Sequence, residues 1–152
     1  MKLTTQLRPS QRPQTANGFS LIELLIVVGI IGVITGIAIP NYIAFSDKSI
    51  LRSTQSDLAA LSLALENDYQ KKLQYPIYNL ADTNAIMDSI GKWKPSSERF
   101  RYYIESNANG YTIGAEMPTE QGNLSSCHLS LQDNGTQELS SCDKYAPDGK
   151  WI

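Results

Sequence analysis

The stretch FSLIELLIVVGIIGVITGIAIP, from Phe19 to Pro40, constrains this chain more than any other. Between Leu21 and Ile39 the aliphatic side chains are interrupted only by Glu23, Thr35 and three glycines. Coiled as an α-helix the block measures roughly 28 Å, close to the hydrocarbon thickness of a bilayer. It is apolar on every side, so it is not half of an amphipathic core helix, and a helix satisfies its own backbone groups in lipid. The block therefore predicts one membrane span. Ahead of it, residues 1–18 carry Lys2, Arg8 and Arg12, two prolines and no acid. A basic arm before a span places the N-terminus in the cytoplasm and the rest of the chain outside. An ordinary secretory signal peptide shares the basic-then-apolar pattern. It fits less well here, because the small-residue pair Gly36-Ile37-Ala38 runs straight into Ile39-Pro40 and the helix beyond needs an anchor.

After Pro40 the patterning changes. Leu51, Thr54, Leu58, Leu61, Leu65 and Tyr69 recur at spacings of three and four among polar residues, one apolar stripe on a helix. No strong stop appears before Tyr75-Pro76, so the helix is expected from about Ser20 to about Leu73, with Pro40 bending rather than ending it. A loop rich in Asn, Asp and Pro follows, with a short helix expected at Ala85 to Ile90. Period-two alternation then begins at Phe100, Tyr102 and Ile104 and resumes at Tyr111, Ile113, Ala115 and Met117. A second pair, Cys127 to Gln132 and Thr136 to Ser140, is joined by Asp133-Asn134-Gly135, whose Asn-Gly supplies the positive φ a tight turn needs. The expected fold is α+β: a long N-terminal helix packed on a four-stranded antiparallel sheet.

The whole chain has 13 Lys and Arg against 15 Asp and Glu, and everything beyond Gly18 is acidic. That balance argues against a protein held mainly by polyanions. A lone His, with no Gly-x-Ser-x-Gly, no phosphate loop and no spaced carboxylate pair, gives no basis for catalysis. Cys127, His128 and Cys142 lack metal-ligand spacing, so neither metal nor cofactor is expected, and His128 reads as a solvent-facing strand position. The local exception to the acidity is Lys92-Trp93-Lys94 with Arg99-Phe100-Arg101. Basic groups interleaved with rings can track phosphates and stack on bases. The plainer reading makes Phe100 and Tyr102 core, Arg101 the wet face of an edge strand and Trp93 a pin for the loop. DNA is therefore an unfavoured partner.

The run Gly18-Phe19-Ser20-Leu21-Ile22-Glu23-Leu24, the apolar helix after it and Ile39-Pro40-Asn41-Tyr42 together resemble the N-terminus of type IV pilins and of their relatives, the pseudopilins of type II secretion. The motif covers about residues 18–50. The resemblance implies a leader at 1–18, removed by prepilin peptidase between Gly18 and Phe19, and N-methylation of the new Phe19 amine. It implies a transmembrane and filament-core helix at 19–40 and a head at 41–152, made of helix 41–73, loop 74–98, sheet 99–140 and tail 141–152. The implied partners are other pilin subunits in a helical filament, the peptidase, and the inner membrane before assembly. The head would lie in the periplasm and then in an extracellular pilus.

Glu23 is costly within a span and persists only where it gains a partner. In the family such a Glu pairs with the N-terminal amine of a neighbouring subunit, so Glu23 is an expected assembly residue. Gly32 and Gly36 form a GxxxG spacing that lets helices approach closely. With Pro40 they also mark the weakest stretch of the helix, which the family extends on assembly. Cys127 and Cys142 are the only cysteines and lie outside the cytoplasm on this topology, where disulfides persist. Their pairing resembles the disulfide-bounded C-terminal region of type IV pilins, whereas many pseudopilins lack such a pair. A structural pilus subunit is the expectation, with a pseudopilin and a pilin-like DNA-uptake subunit as alternatives. The modest head and the tail Pro147-Asp148-Gly149-Lys150-Trp151-Ile152 lean the expectation toward a minor subunit.

Overall fold

The computed structural model describes residues 18–118, 124, 126–142, 145 and 149–151. The leader expected at 1–18 lies outside them except for Gly18. The chain divides into two units, residues 1–39 and 40–152.

In the first unit the helix α1 (Leu21–Lys72) begins, with Leu24 N–H donating to Ser20 O at 3.2 Å and Glu23 in its first turn, where a carboxylate complements the helix dipole. Every described residue of this unit is exposed. The segment is long and apolar enough to cross a membrane. Pro40 stands inside α1 and does not end it, as the sequence predicts. The helix stops where Leu73 adopts φ +57°, a left-handed residue whose N–H still reaches Tyr69 O at 2.7 Å.

In the second unit α1 buries Leu51, Leu58, Leu61 and Leu65 against a sheet made of β1 (Asn79–Leu80), β2 (Arg101–Asn107), β3 (Gly110–Glu116), β4 (His128–Gln132) and β5 (Gln137–Ser140). The strands follow chain order and every neighbouring pair is antiparallel. The inner face contributes Phe100, Tyr102, Ile104, Ile113, Ala115, Leu129 and Leu131 to one core. Both expected hairpins form. In the first, Asn107 pairs with Gly110. In the second, Gly135 takes φ +81° and donates to Gln132 O at 3.0 Å.

The α+β class stands, but the sheet has five strands rather than four. The extra strand β1 is two residues long, too short to leave a period, and is held by distant partners. Asn79 pairs with Glu105 and Leu80 with Ile104, while Ser106 N–H donates to Tyr78 O at 2.9 Å and Ser106 Oγ to Pro76 O at 2.6 Å. Consequently β2 is not the edge strand the alternation suggested. The short helix α2 (Thr83–Ser89) starts two residues before the expected position, because the Asp82 carboxylate caps it by accepting from Asn84 N–H at 2.9 Å and Ala85 N–H at 3.3 Å.

Candidate functional site

The residues expected to drive assembly lie in or beside the start of α1. Phe19 is exposed just before the helix, and Glu23 is exposed in its first turn. Gly32 and Gly36 share one face by their i, i+4 spacing. Among the described residues, a methyl group added at Gly29, Gly32 or Gly36 would meet nothing within 4 Å, so no packing among them requires those glycines to be small. The apolar surface of the helix has the same property: Leu21 through Ile39 cover nothing in their own unit.

The head keeps its own surfaces together by polar clamps that bind loops to α1. Asp57 is buried on the helix, and its Oδ2 accepts from Ser96 N–H at 2.9 Å and from the Tyr102 hydroxyl at 2.8 Å. Its Oδ1 accepts from Ser96 Oγ at 2.6 Å, and its main-chain carbonyl accepts from the Trp93 indole at 3.0 Å. Asp47, about two turns into the head, is buried as well. It accepts from the Tyr145 hydroxyl at 2.5 Å and lies 3.9 Å from Arg99. The helix face thus holds the loop before β2 at two points and the segment after Cys142 at one. Cys127 and Cys142 form a disulfide with a Cα–Cα distance of 4.9 Å, tying the start of β4 to the residues just past β5.

Tyrosines fill the spaces between these clamps. Burial, and then the hydrogen bond to Asp57, raises the Tyr102 phenol above its ordinary range. Tyr75 stacks on Tyr69 at 4.6 Å and meets Tyr111 edge-on at 5.1 Å. Burial and then Glu66 raise Tyr75, and the same two causes push Tyr111 up to about 12. On the outer face of the sheet the Tyr103 ring lies over Gly114, and its hydroxyl is 2.9 Å from Nε2 of His128. His128, expected to face solvent, is instead half-buried and stacked on Tyr103.

The basic-aromatic stretch is divided by the fold. Lys92 and Lys94 are exposed, but Trp93 is buried, edge-on to Tyr102 at 5.1 Å, with no free face for a base to stack on. Arg99 turns toward Asp47. Arg101 is held by Glu116, with Nε to Oε1 at 2.9 Å. Trp93 pins the loop and Phe100 and Tyr102 are core, as the plainer reading has it. Among the described residues no set of His, Cys, Asp and Glu side chains converges on a metal position. Asp57, Asp47 and Tyr145 were not visible as partners in the sequence.

Residues 14–39 match the prokaryotic N-terminal methylation motif. The type IV narrow pilus major component PilA5 of Thermus thermophilus is 37% identical over 111 residues, which cover 72% of this chain and 96% of that protein. The chain belongs to the type IV pilin family. The type IV major pilin protein PilA of Myxococcus xanthus is 41% identical to this pilin over 114 residues, 74% of the chain and 48% of that protein. The type II secretion system core protein G of Klebsiella michiganensis is 32% identical over 65 residues, 43% of the chain and 46% of that protein. The pilin thus spans about half the length of these last two relatives. As a member of this family it is a structural protein and not an enzyme.

Proposed function

We propose that this pilin is a subunit of a type IV pilus, processed between Gly18 and Phe19, N-methylated at Phe19, held in the inner membrane by residues 19–40 with its head in the periplasm, and then polymerised through that same helix. One observation carries the reading. The head completes its own core, while the helix from Leu21 to Ile39 leaves every large apolar side chain uncovered. Such a surface is stable in lipid or in a bundle of like helices, and moving between the two exchanges one apolar environment for another. Specificity is then left to polar and small residues. Glu23 would supply the register by pairing with the Phe19 amine of a neighbour, removing two unmatched charges from a medium where each costs a few kcal/mol. Gly32 and Gly36 would supply close approach, and Pro40 would lower the cost of extending the helix between them.

The Cys127–Cys142 bond favours the pilus over a pseudopilus, since it closes the region after β4 in the manner of the pilins the motif resembles. Two relatives are named as major pilus components, whereas the small head and the tail point to a minor subunit, and both fit a filament subunit. DNA and the secretion piston are alternatives with less support: Trp93 and two of the four basic groups are engaged within the head.

The experiment is to replace Glu23 by Gln and by Ala and to quantify sheared surface filaments beside the processed subunit in membranes. The expected outcome is a loss of surface filaments by tenfold or more, as an order of magnitude for one unpaired charge in lipid, with membrane levels unchanged. Wild-type filament yield from the Ala variant would refute the role given to Glu23.

A further inference from the structure

Where α1 enters the head unit it carries a face that the head does not use. Asp47, Leu51, Thr54 and Leu58 turn one side of the helix into the core. On the side turned away, Tyr42, Phe45, Lys48 and Arg52 follow one another at spacings of three and four, so they form one exposed stripe. Tyr42 is 73% exposed and Phe45 71%, so nothing in the head provides a place for either ring.

The two cations of the stripe also lack an internal explanation. At i and i+4 they repel each other, and the residues three and four positions from either one include no carboxylate. Among the described residues neither forms an ion pair, whereas Lys71 has Asp68 at 3.8 Å and Arg99 has Asp47 at 3.9 Å. In a chain that is acidic beyond Gly18, Lys48 and Arg52 make a local field of opposite sign.

Their position in the sequence identifies the anion that fits them. Pro40 follows directly on the apolar run ending at Ile39, and Lys48 is the first Lys or Arg after Arg12. Eight residues of helix set the Lys48 Cα roughly 12 Å beyond that of Pro40. A helical side chain leans back over the preceding turn, which returns the ammonium by about 5 Å. The headgroup layer on one side of a bilayer is about 5–8 Å deep, so with the hydrocarbon ending at Pro40 the Lys48 ammonium falls within it. Arg52, one turn further on, stays within a Debye length of ~8 Å of that layer. Tilt of the helix only shortens these distances.

We propose that Tyr42, Phe45, Lys48 and Arg52 form a collar that binds the phosphate headgroups of anionic phospholipids in the leaflet facing the head. The collar rests on the reading of residues 19–40 as a membrane span. Its rings sit at headgroup level, where amphipathic aromatics gather, and its ammonium and guanidinium donate to phosphate oxygens. The two cations thereby hold an acidic head beside a surface that otherwise repels it, and they fix the depth of the span before assembly.

The test reconstitutes the full chain in phosphatidylcholine vesicles. Electron spin resonance then reads how strongly the protein restrains spin-labelled phosphatidylglycerol relative to spin-labelled phosphatidylcholine. Lys2, Arg8 and Arg12 are the same in every variant, so the difference between variants is the readout. Replacing Lys48→Gln together with Arg52→Gln is expected to lower the preference for the anionic lipid about fivefold, the weight of one cation at an anionic surface. Lys48→Arg should keep the preference, and Lys71→Gln with Lys72→Gln, at the far end of α1, should leave it unchanged. Salt that shortens the Debye length to about 3 Å should lower it more in wild type than in the double Gln variant. Free inorganic phosphate at matched ionic strength should not displace the lipid, whereas displacement would make the site one for a soluble anion and overturn the collar. A wild-type preference in the double variant, with its thermal midpoint unchanged, overturns it too, as does an equal loss in the Lys71 and Lys72 variant. Should the double variant lose its fold, Lys48→Gln alone carries the same comparison. If wild type restrains neither labelled lipid, the membrane span itself is refuted, and the collar with it.

Discussion

Replacing Asp57 by Ala should destabilise the head more than any other single change to a polar side chain on α1. The carboxylate accepts three hydrogen bonds, from Ser96 N–H, Ser96 Oγ and the Tyr102 hydroxyl. Ser96 is exposed, so water can take over its two donors at small cost. Tyr102 is fully buried, and its hydroxyl proton would be left without an acceptor. An orphaned buried donor costs about 1–3 kcal/mol, and losing hydrogen bonds to a charged acceptor adds about 1.5–3 kcal/mol. Relief of the buried charge offsets part of this, leaving a net loss of about 3 kcal/mol. For a head of this size that lowers the midpoint of thermal unfolding by roughly 10 °C. Tyr102→Phe leaves Asp57 with both Ser96 donors and should cost only about 1 kcal/mol. The double variant should be less unstable than the sum of the singles by about 1–2 kcal/mol. Guanidinium unfolding in micelles, followed by Trp93 emission with Trp151→Phe in every variant, reads all four corners of the cycle. A cost below about 1 kcal/mol for Asp57→Ala, or strict additivity with Tyr102→Phe, would refute the clamp.

Two further outcomes follow from the tyrosines. Free phenols titrate near ~10, whereas burial holds Tyr102 and Tyr75 protonated beyond that and pushes Tyr111 up to about 12. The folded state binds these protons more tightly than the unfolded state, so their contribution is full below pH ~10 and declines as pH rises toward the folded values. Thermal midpoints should be flat through neutral pH and fall above ~10, with tyrosinate absorbance appearing together with unfolding; three phenols ionising near 10 in a folded head would contradict this. On the outer face, Gly114→Ala places a methyl group inside the Tyr103 ring and should cost about 1–3 kcal/mol of unfolding free energy. Adding Tyr103→Ala should recover part of that loss in the same denaturant titration.

The features legible in the sequence are those written in consecutive residues. The span is visible because Leu21 to Ile39 is apolar throughout. The long helix is visible because nothing between Pro40 and Tyr75 stops it. The hairpins are visible because Asn109-Gly110 and Asn134-Gly135 sit between alternating runs. What escaped was held by distant partners. Asp57 meets Ser96 and Tyr102 across separations of 39 and 45 residues, and Asp47 meets Tyr145 across 98. An aspartate among serines and alanines on a helix looks like a solvated residue until the loop that needs it is in place. β1 escaped because two residues have no period. His128 read as exposed because alternation assigns a face but not what lies across it, and Tyr103 reaches over Gly114 to cover it. The basic-aromatic stretch shows the opposite failure, in which local composition suggested a surface that the fold divides between core and ion pairs.

The central claim is that the Leu21–Ile39 helix becomes a filament core after cleavage at Gly18. Intact mass and N-terminal analysis of the protein from sheared surface filaments and from membranes, with and without reduction, tests it most directly. The account predicts one chain in both fractions, beginning at N-methylated Phe19 and lighter than its reduced form by the two hydrogens of a closed Cys127–Cys142 bond. Its abundance in the sheared fraction separates a shaft subunit from a minor one. A secreted chain beginning at Ile39 or beyond, absent from filaments, would contradict the account.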